Sequence, residues 1–455
     1  MQSLLTQLER VVGPGRLATG DAAAEQAFSF WTRLGTPLAI AKPATTDEVA
    51  AVLRAAAADG CPVVPWGGRT GLVDGAFADG AVALSLERMS AVEEIDKDAA
   101  TMTVQAGCTL AAACDAADEA GLFLPLDLGA RGSATIGGVI STNAGGNRVL
   151  RYGMTREMVL GLEAVLADGT VLSSLNHLIK NNTGYDLKQL FIGSEGTLGV
   201  VTRAVLRLRP KPASQDTALL AVDRFEDLGR LLRRLESELA GALSAYEVMW
   251  PEFYELVTTP PANGRPVLPG GHAFYVLVET LGADPATDAG RFEDVLARVL
   301  EDGLVTDAAI AKSQAERDRM WGLRDDVRQT ARNGPIVAFD VSLPIPQMER
   351  YVAAVRSALT GRWPDAQLTV FGHLGDGNLH LIAGVGDPSA RHEIETLVYE
   401  PLRAFGGSVS AEHGIGLQKR AFLAHSRSPA EIALMRTLKQ ALDPAGVLNP
   451  GKILG

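Results

Sequence analysis

The hydrophobic and polar positions along the first half of this chain predict short strands alternating with helices. Thr45 and Glu48 form a capping-box pattern, which opens an apolar run of helical period that ends near Gly60. Thr109 has the same position ahead of a second helical run, which ends at Gly121. Short apolar runs bounded by glycine, proline or polar residues predict strands at 61–66, 81–86, 102–106 and 198–208.

The pattern changes near Pro210-Lys-Pro212, after which strands and amphipathic helices alternate in longer units. This order, with few tight crossovers, favours an antiparallel sheet covered by helices on one face. The predicted helices are 225–239, 289–301, 346–359 and 390–405, and the predicted strands are 245–250, 272–279, 336–343 and 367–383.

The chain length of 455 residues predicts two domains. We expect N-terminal helices over 1–35, a first domain over 36–212 and a second over 213–410. The remaining segment, 411–455, is expected to be helical and to return to the first domain. Its Asp-Pro and Asn-Pro turns predict an ordered terminus packed against the body.

Charge and cysteine content narrow the class of protein. The net charge of −12 argues against nucleic acid or an anionic membrane as the main partner. Cys61, Cys108 and Cys114 form no C-x-x-C pair, which is typical of reduced cysteines in a cytosolic protein. The N-terminus lacks the pattern of a secretory signal, and no apolar run is long enough for a transmembrane helix. We therefore expect a cytoplasmic protein.

Three glycine-rich segments, at 65–72, 125–146 and 193–199, predict close backbone approach to a polyanionic ligand. Successive backbone N–H groups in glycine turns form concave sites that bind phosphate oxygens. No segment forms the strand–G-x-G-x-x-G–helix unit of a dinucleotide-binding fold, and no G-x-x-x-x-G-K-[ST] motif occurs. One such loop is common in β-rich domains, so the prediction depends on all three occurring in order.

Three of the seven histidines, His373, His380 and His413, stand beside a Gly-Asp-Gly turn or within a Glu-His pair. Asp376-Gly377 predicts a two-residue hairpin turn in which His373 faces His380. Directly opposed residues have Cβ atoms roughly 5 Å apart, close enough for two imidazoles to share a divalent ion.

Other residues extend this candidate metal site. Asn378 precedes His380 by two positions and points to the same face, and Glu412 would add an oxygen ligand. The alternative is that each histidine is an ordinary core or surface residue. No H-E-x-x-H or H-x-x-E-H helix motif is present, which argues against a zinc protease.

Together these segments resemble a known family of flavoproteins. The glycine loops, Arg151-Tyr152-Gly153 and 182–199 resemble the FAD domain of the vanillyl alcohol oxidase/para-cresol methylhydroxylase family. The segments 371–380 and 412–416 and the ending Leu448-Asn449-Pro-Gly-Lys resemble the branch that holds FAD-dependent D-2-hydroxyglutarate and D-lactate dehydrogenases and glycolate oxidase subunits. The resemblance implies an α+β fold, with a two-subdomain FAD-binding domain and a helix-covered antiparallel-sheet substrate domain.

The resemblance also implies which residues hold FAD. Relatives that bind FAD covalently use a His in the first loop, where this chain has Arg69, so we predict non-covalent FAD. The first loop and 133–138 would hold the pyrophosphate, 143–146 and 195–201 the ribose, adenine and flavin ends, and Asn449 would approach the flavin ring. The predicted cofactor residues are Pro65, Trp66, Gly67, Gly68, Arg69, Thr70, Gly71, Leu72, Pro125, Leu126, Gly129, Ser133, Thr135, Ile136, Gly137, Gly138, Ser141, Asn143, Ala144, Gly145, Gly146, Tyr152, Gly153, Glu195, Gly196, Gly199, Val200, Val201 and Asn449.

The same resemblance assigns roles in the oxidation of a D-2-hydroxy acid. His373, His380 and Glu412 would bind Zn²⁺, or Mn²⁺ as the alternative. A cation chelated by the hydroxyl and carboxylate lowers the pKa of the hydroxyl. The remaining roles are His413 as the base, Asn378 as the residue that orients the substrate and Arg324 as the clamp on its carboxylate.

Two positions depart from the dicarboxylate-specific relatives. Arg328 stands where they have Thr, and Ala338 stands where they have Lys. Arg328 could replace the missing contact to a distal carboxylate, or the substrate could lack that group. The sequence therefore favours a less polar acid, such as D-lactate, at least as much as D-2-hydroxyglutarate.

Other functions remain open at this point. A FAD oxidase of an alcohol, sugar or amine would keep the fold without a catalytic metal, and a partner-dependent subunit would keep the fold without activity. A metal hydrolase would leave the FAD loops unexplained. Because no NAD(P) motif is seen, we expect electrons to leave to a quinone or an electron-transferring flavoprotein, with peripheral contact to the membrane through that acceptor, and a homodimer as the default assembly.

Overall fold

The computed structural model describes residues 2–455, which form two compact units. The first unit comprises the chain up to Gly145, Gly153–Lys211 and Glu412–Gly455. The second comprises Gly146–Tyr152 and Pro212–Ala411. The short segment Gly146–Tyr152 therefore belongs to the second unit, although two of its residues were predicted to bind the cofactor.

The first unit contains two larger sheets and one two-stranded sheet. In the four-stranded sheet, of order β1-β2-β4-β3, the last three strands are parallel. The five-stranded sheet, of order β5-β6-β10-β8-β9, is antiparallel, and β7 pairs with β11. The strands are β1 (Leu17–Thr19), β2 (Ala39–Ala41), β3 (Val63–Trp66), β4 (Val82–Ser85), β5 (Val92–Asp96), β6 (Thr101–Gln105), β7 (Leu122–Phe123), β8 (Val159–Val165), β9 (Val171–Ser174), β10 (Val200–Arg207) and β11 (Arg209–Pro210).

Two helices of the first unit begin where the sequence predicted their caps. Thr45 Oγ1 accepts from the Glu48 N–H and Thr109 Oγ1 accepts from the Ala112 N–H, both at 3.2 Å. The N-terminal region, predicted as helices alone, also contains β1, which pairs with β2. The helices are Gln2–Val12, Asp21–Gln26, Thr46–Ala58, Leu110–Glu119, Ile136–Thr142, Lys188–Phe191, Leu423–Ser426 and Pro429–Leu442, with 3₁₀ turns at Thr155–Met158 and Arg420–Phe422.

The second unit contains one antiparallel sheet of seven strands. The sequence predicted an antiparallel sheet in this part of the chain. Its order is β15-β12-β14-β13-β17-β18-β16. The strands are β12 (Ser214–Val222), β13 (Leu243–Met249), β14 (Phe274–Gly282), β15 (Asp307–Ile310), β16 (Ile336–Ser342), β17 (Gln367–Gly372) and β18 (Asn378–Gly384).

Helices pack on both faces of this sheet, so the prediction of one covered face was wrong. On one face the Tyr246 hydroxyl donates to Leu228 O in the helix Phe225–Glu238. On the other face Met249 and Phe371 share a core cluster with Phe253 and Leu323 of two further helices. The helices of the unit are Val149–Tyr152, Phe225–Glu238, Pro251–Thr258, Pro285–Glu301, Gln314–Asp325, Met348–Arg362, Arg391–Tyr399 and Leu402–Phe405, with 3₁₀ turns at Val327–Asn333, Ile345–Gln347, Leu374–Asp376 and Pro388–Ala390.

The two helices on that second face, Pro251–Thr258 and Gln314–Asp325, were not predicted. The first spans only eight residues, and the second is rich in charged residues, so neither has the long apolar stripe on which sequence patterns depend. Across residues 2–455, none of the helices has both the length and the apolar character needed to cross a bilayer.

Candidate active site

The turn between β17 and β18 brings two of the predicted ligands together, in a register that differs from the predicted one. The pairing sets His380 opposite Phe371, so the expectation that His373 faces His380 in a two-residue hairpin was wrong. The 3₁₀ turn Leu374–Asp376 lengthens the connection, and the Asn378 N–H donates to His373 O at 3.1 Å to close it. The two imidazole rings nevertheless lie 5.3 Å apart, centroid to centroid.

A buried carboxylate holds both His373 and Arg324. Oε1 of Glu247 lies 2.6 Å from His373 Nδ1, and Oε2 accepts from Arg324 Nε at 2.8 Å. The third side of the triangle is a 3.3 Å separation between Arg324 Nη2 and His373 Nε2. All three residues are buried, and the guanidinium also lies over the Phe371 ring, 5.0 Å from its centroid. Arg324 is therefore not a surface helix residue paired with a neighbouring acid.

Strand pairing explains how the triangle forms. Glu247 in β13 precedes Val248, which pairs with Gly372 at the end of β17, so His373 follows directly beside the carboxylate. Burial alone would raise the pKa of Glu247, but His373 and Arg324 together lower it from 4.5 to about 2. Glu247 was not among the site residues predicted from the sequence. A detectable signal was present, because a lone charge in an otherwise apolar strand predicts a buried partner.

The side-chain amide of Asn378 is hydrogen-bonded through its nitrogen, whereas its oxygen has no partner. Its Nδ2 donates to Asp340 Oδ1 at 3.0 Å and to Val341 O at 2.9 Å. Its Oδ1 is buried and has no hydrogen-bond partner. Because buried polar atoms are normally satisfied, this oxygen is suited to accept from a bound hydroxyl group or to coordinate a cation. Asp340 pairs directly with His380 in the sheet, so these polar residues share one face.

A second buried carboxylate, Glu279, was likewise not predicted from the sequence. Its Oε1 accepts from Arg148 at 2.6 Å, and its Oε2 accepts from Gln215 and Trp321 at 2.7 Å and from Thr217 at 3.2 Å. Trp321 lies on the same helix as Arg324, and Arg148 lies in the segment Gly146–Tyr152. Glu279 therefore joins that segment and that helix to the sheet.

In the first unit, the first two glycine loops meet backbone to backbone. A Cβ on Gly68 would lie 1.8 Å from Ser133 O, and a Cβ on Gly67 would lie 2.4 Å from Thr135 Oγ1. Thr135 Oγ1 is buried without a hydrogen-bond partner. The loops therefore form a tight cradle with an unsatisfied hydroxyl, which fits a polar ligand such as the FAD pyrophosphate.

Two of the predicted cofactor residues use their backbone N–H groups for hydrogen bonds within the protein. The Ile136 N–H donates to Cys108 O at 2.9 Å, and the Gly137 N–H donates to Ala106 O at 2.7 Å. Gly137 also lacks a Cβ for a packing reason, because the added atom would lie 2.7 Å from the Ala106 Cβ. These two backbone N–H groups serve the protein's own folding and not a phosphate.

The third glycine loop meets the C-terminal segment around Glu195. The carboxylate of Glu195, a residue of the predicted cofactor set, accepts from the backbone N–H groups of Ile415 and Gly416 at 2.7 and 2.8 Å. Asn449 Nδ2 donates to Glu195 O at 2.7 Å and to Gly75 O at 3.1 Å. Asn449 Oδ1 is buried without a partner, which fits the predicted approach of this side chain to a flavin.

The remaining predicted site residues divide between the two units. Arg324, Asn378, His373 and His380 come together in the second unit, while the half-buried Glu412 and His413 open the last segment of the first unit. Two further positions, Arg328 in the 3₁₀ turn Val327–Asn333 and Ala338 in β16, are exposed.

Two protein families match successive parts of the chain. Residues 37–174 match a family described as FAD binding domain, and residues 211–453 match one described as FAD linked oxidases, C-terminal domain. The mitochondrial D-2-hydroxyglutarate dehydrogenase of Bos taurus is 42% identical over 99% of this chain and 83% of its own. The D-2-hydroxyglutarate dehydrogenase of Xanthomonas citri pv. viticola is 40% identical over 99% of this chain and 96% of its own.

Solved structures show the same fold at low identity. Substrate-bound p-cresol methylhydroxylase has a TM-score of 0.78 at 15% identity, covering 99% of this chain and 96% of its own. The 4-ethylphenol oxidase of Gulosibacter chungangensis has a TM-score of 0.76 at 18% identity, with the same coverage. The predicted α+β fold of the para-cresol methylhydroxylase type is confirmed. The chain belongs to the FAD-linked oxidase family and is an FAD-linked oxidoreductase of the D-2-hydroxy acid dehydrogenase branch.

Proposed function

We propose that this protein oxidises a D-2-hydroxy acid to the 2-keto acid. The observation that carries the proposal is the buried triangle of Glu247, His373 and Arg324, which holds a guanidinium and an imidazole side by side. Guanidinium suits a planar carboxylate, and imidazole suits a metal ion or a proton. A 2-hydroxy acid carries its carboxylate and its hydroxyl on adjacent carbon atoms, so its oxidation needs one protein group for each of them.

Residues of this chain would carry the acid–base and binding steps. Arg324 would bind the substrate carboxylate through N–H groups other than Nε, which Glu247 already engages. Asn378 would orient the substrate, because its Oδ1 is the unsatisfied end of a fixed amide. His413 would take the hydroxyl proton, and the C2 hydrogen would leave as hydride. When bound, FAD supplies the acceptor for that hydride.

His373, His380 and Glu412 would hold a divalent cation, Zn²⁺ or alternatively Mn²⁺. Support comes from His373, whose Nδ1 meets the Glu247 carboxylate, the kind of contact that orients a metal-binding imidazole. Further support comes from the chain path, since Ala411, which precedes Glu412, donates its N–H to Asp340 O at 3.3 Å. A bound cation would lower the pKa of the substrate hydroxyl.

FAD would be held non-covalently by the glycine loops of the first unit. Arg69 supports this, because its Nη1 donates to Gln26 O at 2.8 Å and its guanidinium lies over the Trp66 ring. A guanidinium so engaged is no nucleophile. Acid precipitation should leave a colourless pellet and a yellow supernatant; a yellow pellet would refute non-covalent binding.

D-2-hydroxyglutarate is our first candidate substrate, because both curated relatives described above carry that activity in their names over nearly the whole chain. Arg328 supports it, since an exposed guanidinium four residues after Arg324 can receive a second carboxylate. D-lactate is the second candidate, because Ala338 offers no such contact.

An anaerobic flavin-reduction screen tests the proposal. The purified protein would be mixed with D- and L-2-hydroxy acids, with and without prior EDTA treatment, while flavin absorbance is followed. We expect bleaching by the D-acid alone and loss of bleaching after EDTA. Bleaching that ignores EDTA would refute the metal, and no bleaching by any hydroxy acid would favour an alcohol, sugar or amine oxidase.

The electron acceptor and the assembly belong to the same proposal. We expect a quinone or an electron-transferring flavoprotein to reoxidise the flavin, and we expect a homodimer. Steady-state assays with each acceptor and light scattering of the holoprotein would test these two expectations separately.

A further inference from the structure

We propose that Glu195 is a positioning residue, which fixes the turn that follows Glu412 and His413. The family resemblance implies a cofactor role for Glu195. Its contacts within the first unit point to a different task, because both of its carboxylate oxygens are directed at one short backbone segment.

Two consecutive backbone N–H groups of that segment bind the carboxylate. Ile415 N donates to Glu195 Oε1 at 2.7 Å, and Gly416 N donates to Oε2 at 2.8 Å. Hydrogen bonds from backbone N–H groups to a carboxylate are short and stronger than bonds between neutral groups. Because each oxygen binds a different N–H group, the pair fixes the orientation of the backbone as well as its distance.

The glycines of the segment are required for this approach. Gly414 has a φ of +80°, and a Cβ there would lie 2.8 Å from Glu195 Oε1. Gly416 has a φ of +51°, and a Cβ there would lie 2.0 Å from Val73 O. The turn can therefore close on the carboxylate only because these two positions lack side chains.

Glu195 is itself held in a strained conformation. Its φ of +52° is uncommon for a residue with a side chain. Its N–H donates to Ser141 O at 2.7 Å, and its carbonyl accepts from Asn449 Nδ2 at 2.7 Å. Strain of this kind persists where surrounding contacts over-determine the backbone, and it concentrates at functional sites.

The consequence concerns the two residues just before the turn. This step rests on the proposed function, in which Glu412 is a metal ligand and His413 is the base. Both side chains branch from a backbone whose next residues are fixed by Glu195. The third glycine loop would thus set the geometry of the ligand and the base, in addition to bordering the cofactor.

The test uses the holoprotein with Glu195→Ala and, as the conservative variant, Glu195→Gln. Glu94→Ala, at an exposed glutamate in β5, is the matched control. Three quantities would be measured: amide hydrogen exchange at Ile415 and Gly416, the FAD-to-protein ratio, and the rate of flavin reduction at saturating D-2-hydroxyglutarate.

For Glu195→Ala we expect exchange at the two amides to become about ten- to a hundredfold faster, the range for loss of a hydrogen bond to a charged group. The FAD ratio should stay unchanged while flavin reduction slows. Glu195→Gln should give intermediate exchange, because its single carbonyl oxygen can replace only one acceptor, and it keeps the test open if the Ala variant fails to fold. Glu94→Ala should match wild type.

Unchanged hydrogen exchange at both amides would overturn the proposal. If FAD were lost as well while the exchange stayed unchanged, Glu195 would be a cofactor residue. Faster exchange with unchanged flavin reduction would refute the positioning role and leave only a structural one. If the wild-type protein reduces no flavin with any hydroxy acid, the proposed function fails, and the exchange measurement still decides whether Glu195 fixes the turn.

Discussion

Glu247 Oε1 lies 2.6 Å from His373 Nδ1, in a position where the carboxylate selects one tautomer of the imidazole. With the proton on Nδ1, the lone pair stands on Nε2, which lies 3.3 Å from Arg324 Nη2, so a bound cation would replace the guanidinium as its partner. Loss of Glu247 would remove that selection and leave Arg324 without its buried partner.

Glu247→Gln is therefore expected to lower zinc affinity about ten- to a hundredfold, the usual effect of losing such a carboxylate. It should also lower the free energy of unfolding, because an uncompensated buried guanidinium remains. Zinc titration of the metal-free holoprotein and urea unfolding would measure the two effects. Glu255→Gln, at an exposed residue of the helix Pro251–Thr258, is the control. Unchanged zinc affinity would contradict the assigned tautomer.

Arg324→Lys is expected to raise the KM for the hydroxy acid about ten- to a hundredfold, because an ammonium group cannot reproduce the paired N–H groups of guanidinium. The charge opposite Glu247 is kept, so the variant should fold. Substrate titrations of flavin reduction would give the value. Arg319→Lys, exposed on the same helix, should leave KM unchanged. A normal KM for Arg324→Lys would remove Arg324 from the substrate site.

Arg328→Ala distinguishes the two candidate substrates. If the exposed guanidinium of Arg328 binds a second carboxylate, kcat/KM for D-2-hydroxyglutarate should fall about ten- to a hundredfold, while the value for D-lactate stays the same. Steady-state assays on both acids would measure this difference. An equal fall for both acids would indicate that Arg328 acts on the fold of the 3₁₀ turn and not on specificity.

Glu279→Gln is expected to lower the free energy of unfolding by about 3 kcal/mol, because Arg148 would lose its buried partner. Urea unfolding, followed by tryptophan fluorescence, is the measurement, since the indole of Trp321 donates to the same carboxylate. Glu301→Gln, at an exposed residue of the helix Pro285–Glu301, is the control. Wild-type stability in Glu279→Gln would mean that the four donors find other acceptors.

Lys452 predicts a pH dependence of stability. Burial lowers the pKa of its ammonium group from 10.5 to about 8, against the opposing effect of Asp74. Between these two pKa values the unfolded state binds more protons than the folded state, so stability should rise with pH across that window. Lys452→Met should lack this rise. The free energy of unfolding of the wild type, taken relative to that of Lys452→Met, should therefore increase from pH 7.5 to pH 10.

Unfolding of both proteins across that range, with exposed Lys97→Met as the control, would measure the difference. A constant gap between wild type and Lys452→Met would show that Lys452 keeps an ordinary pKa in the folded protein.

The sequence predicted those features that depend on local chemistry. The caps at Thr45 and Thr109 were predicted correctly because an N-cap is decided within four residues. The strand pairing of His380 was wrong because a 3₁₀ turn and a two-residue turn have similar sequences around Asp-Gly. The register then follows from closure of the loop, which local patterns do not encode.

The partners of Glu247 and Glu279 could not be predicted from the sequence for a different reason. Each is a single charge within a strand, and its meaning depends on partners far away in the sequence. Arg324 is 77 positions from Glu247, and Arg148 is 131 positions from Glu279. Only the sheet order and the faces of its strands bring these pairs together, so no motif could identify them.

The division of the chain has a consequence for recombination among relatives. The backbone passes from one unit to the other at four points, after Gly145, Tyr152, Lys211 and Ala411. Exchange of the substrate unit at the boundaries after Lys211 and Ala411 alone would carry over Glu279 and leave behind its native partner Arg148. A functional chimera must therefore take the seven residues Gly146–Tyr152 from the same parent as Pro212–Ala411. These seven residues would be inserted into the flavin-binding sequence of the other parent.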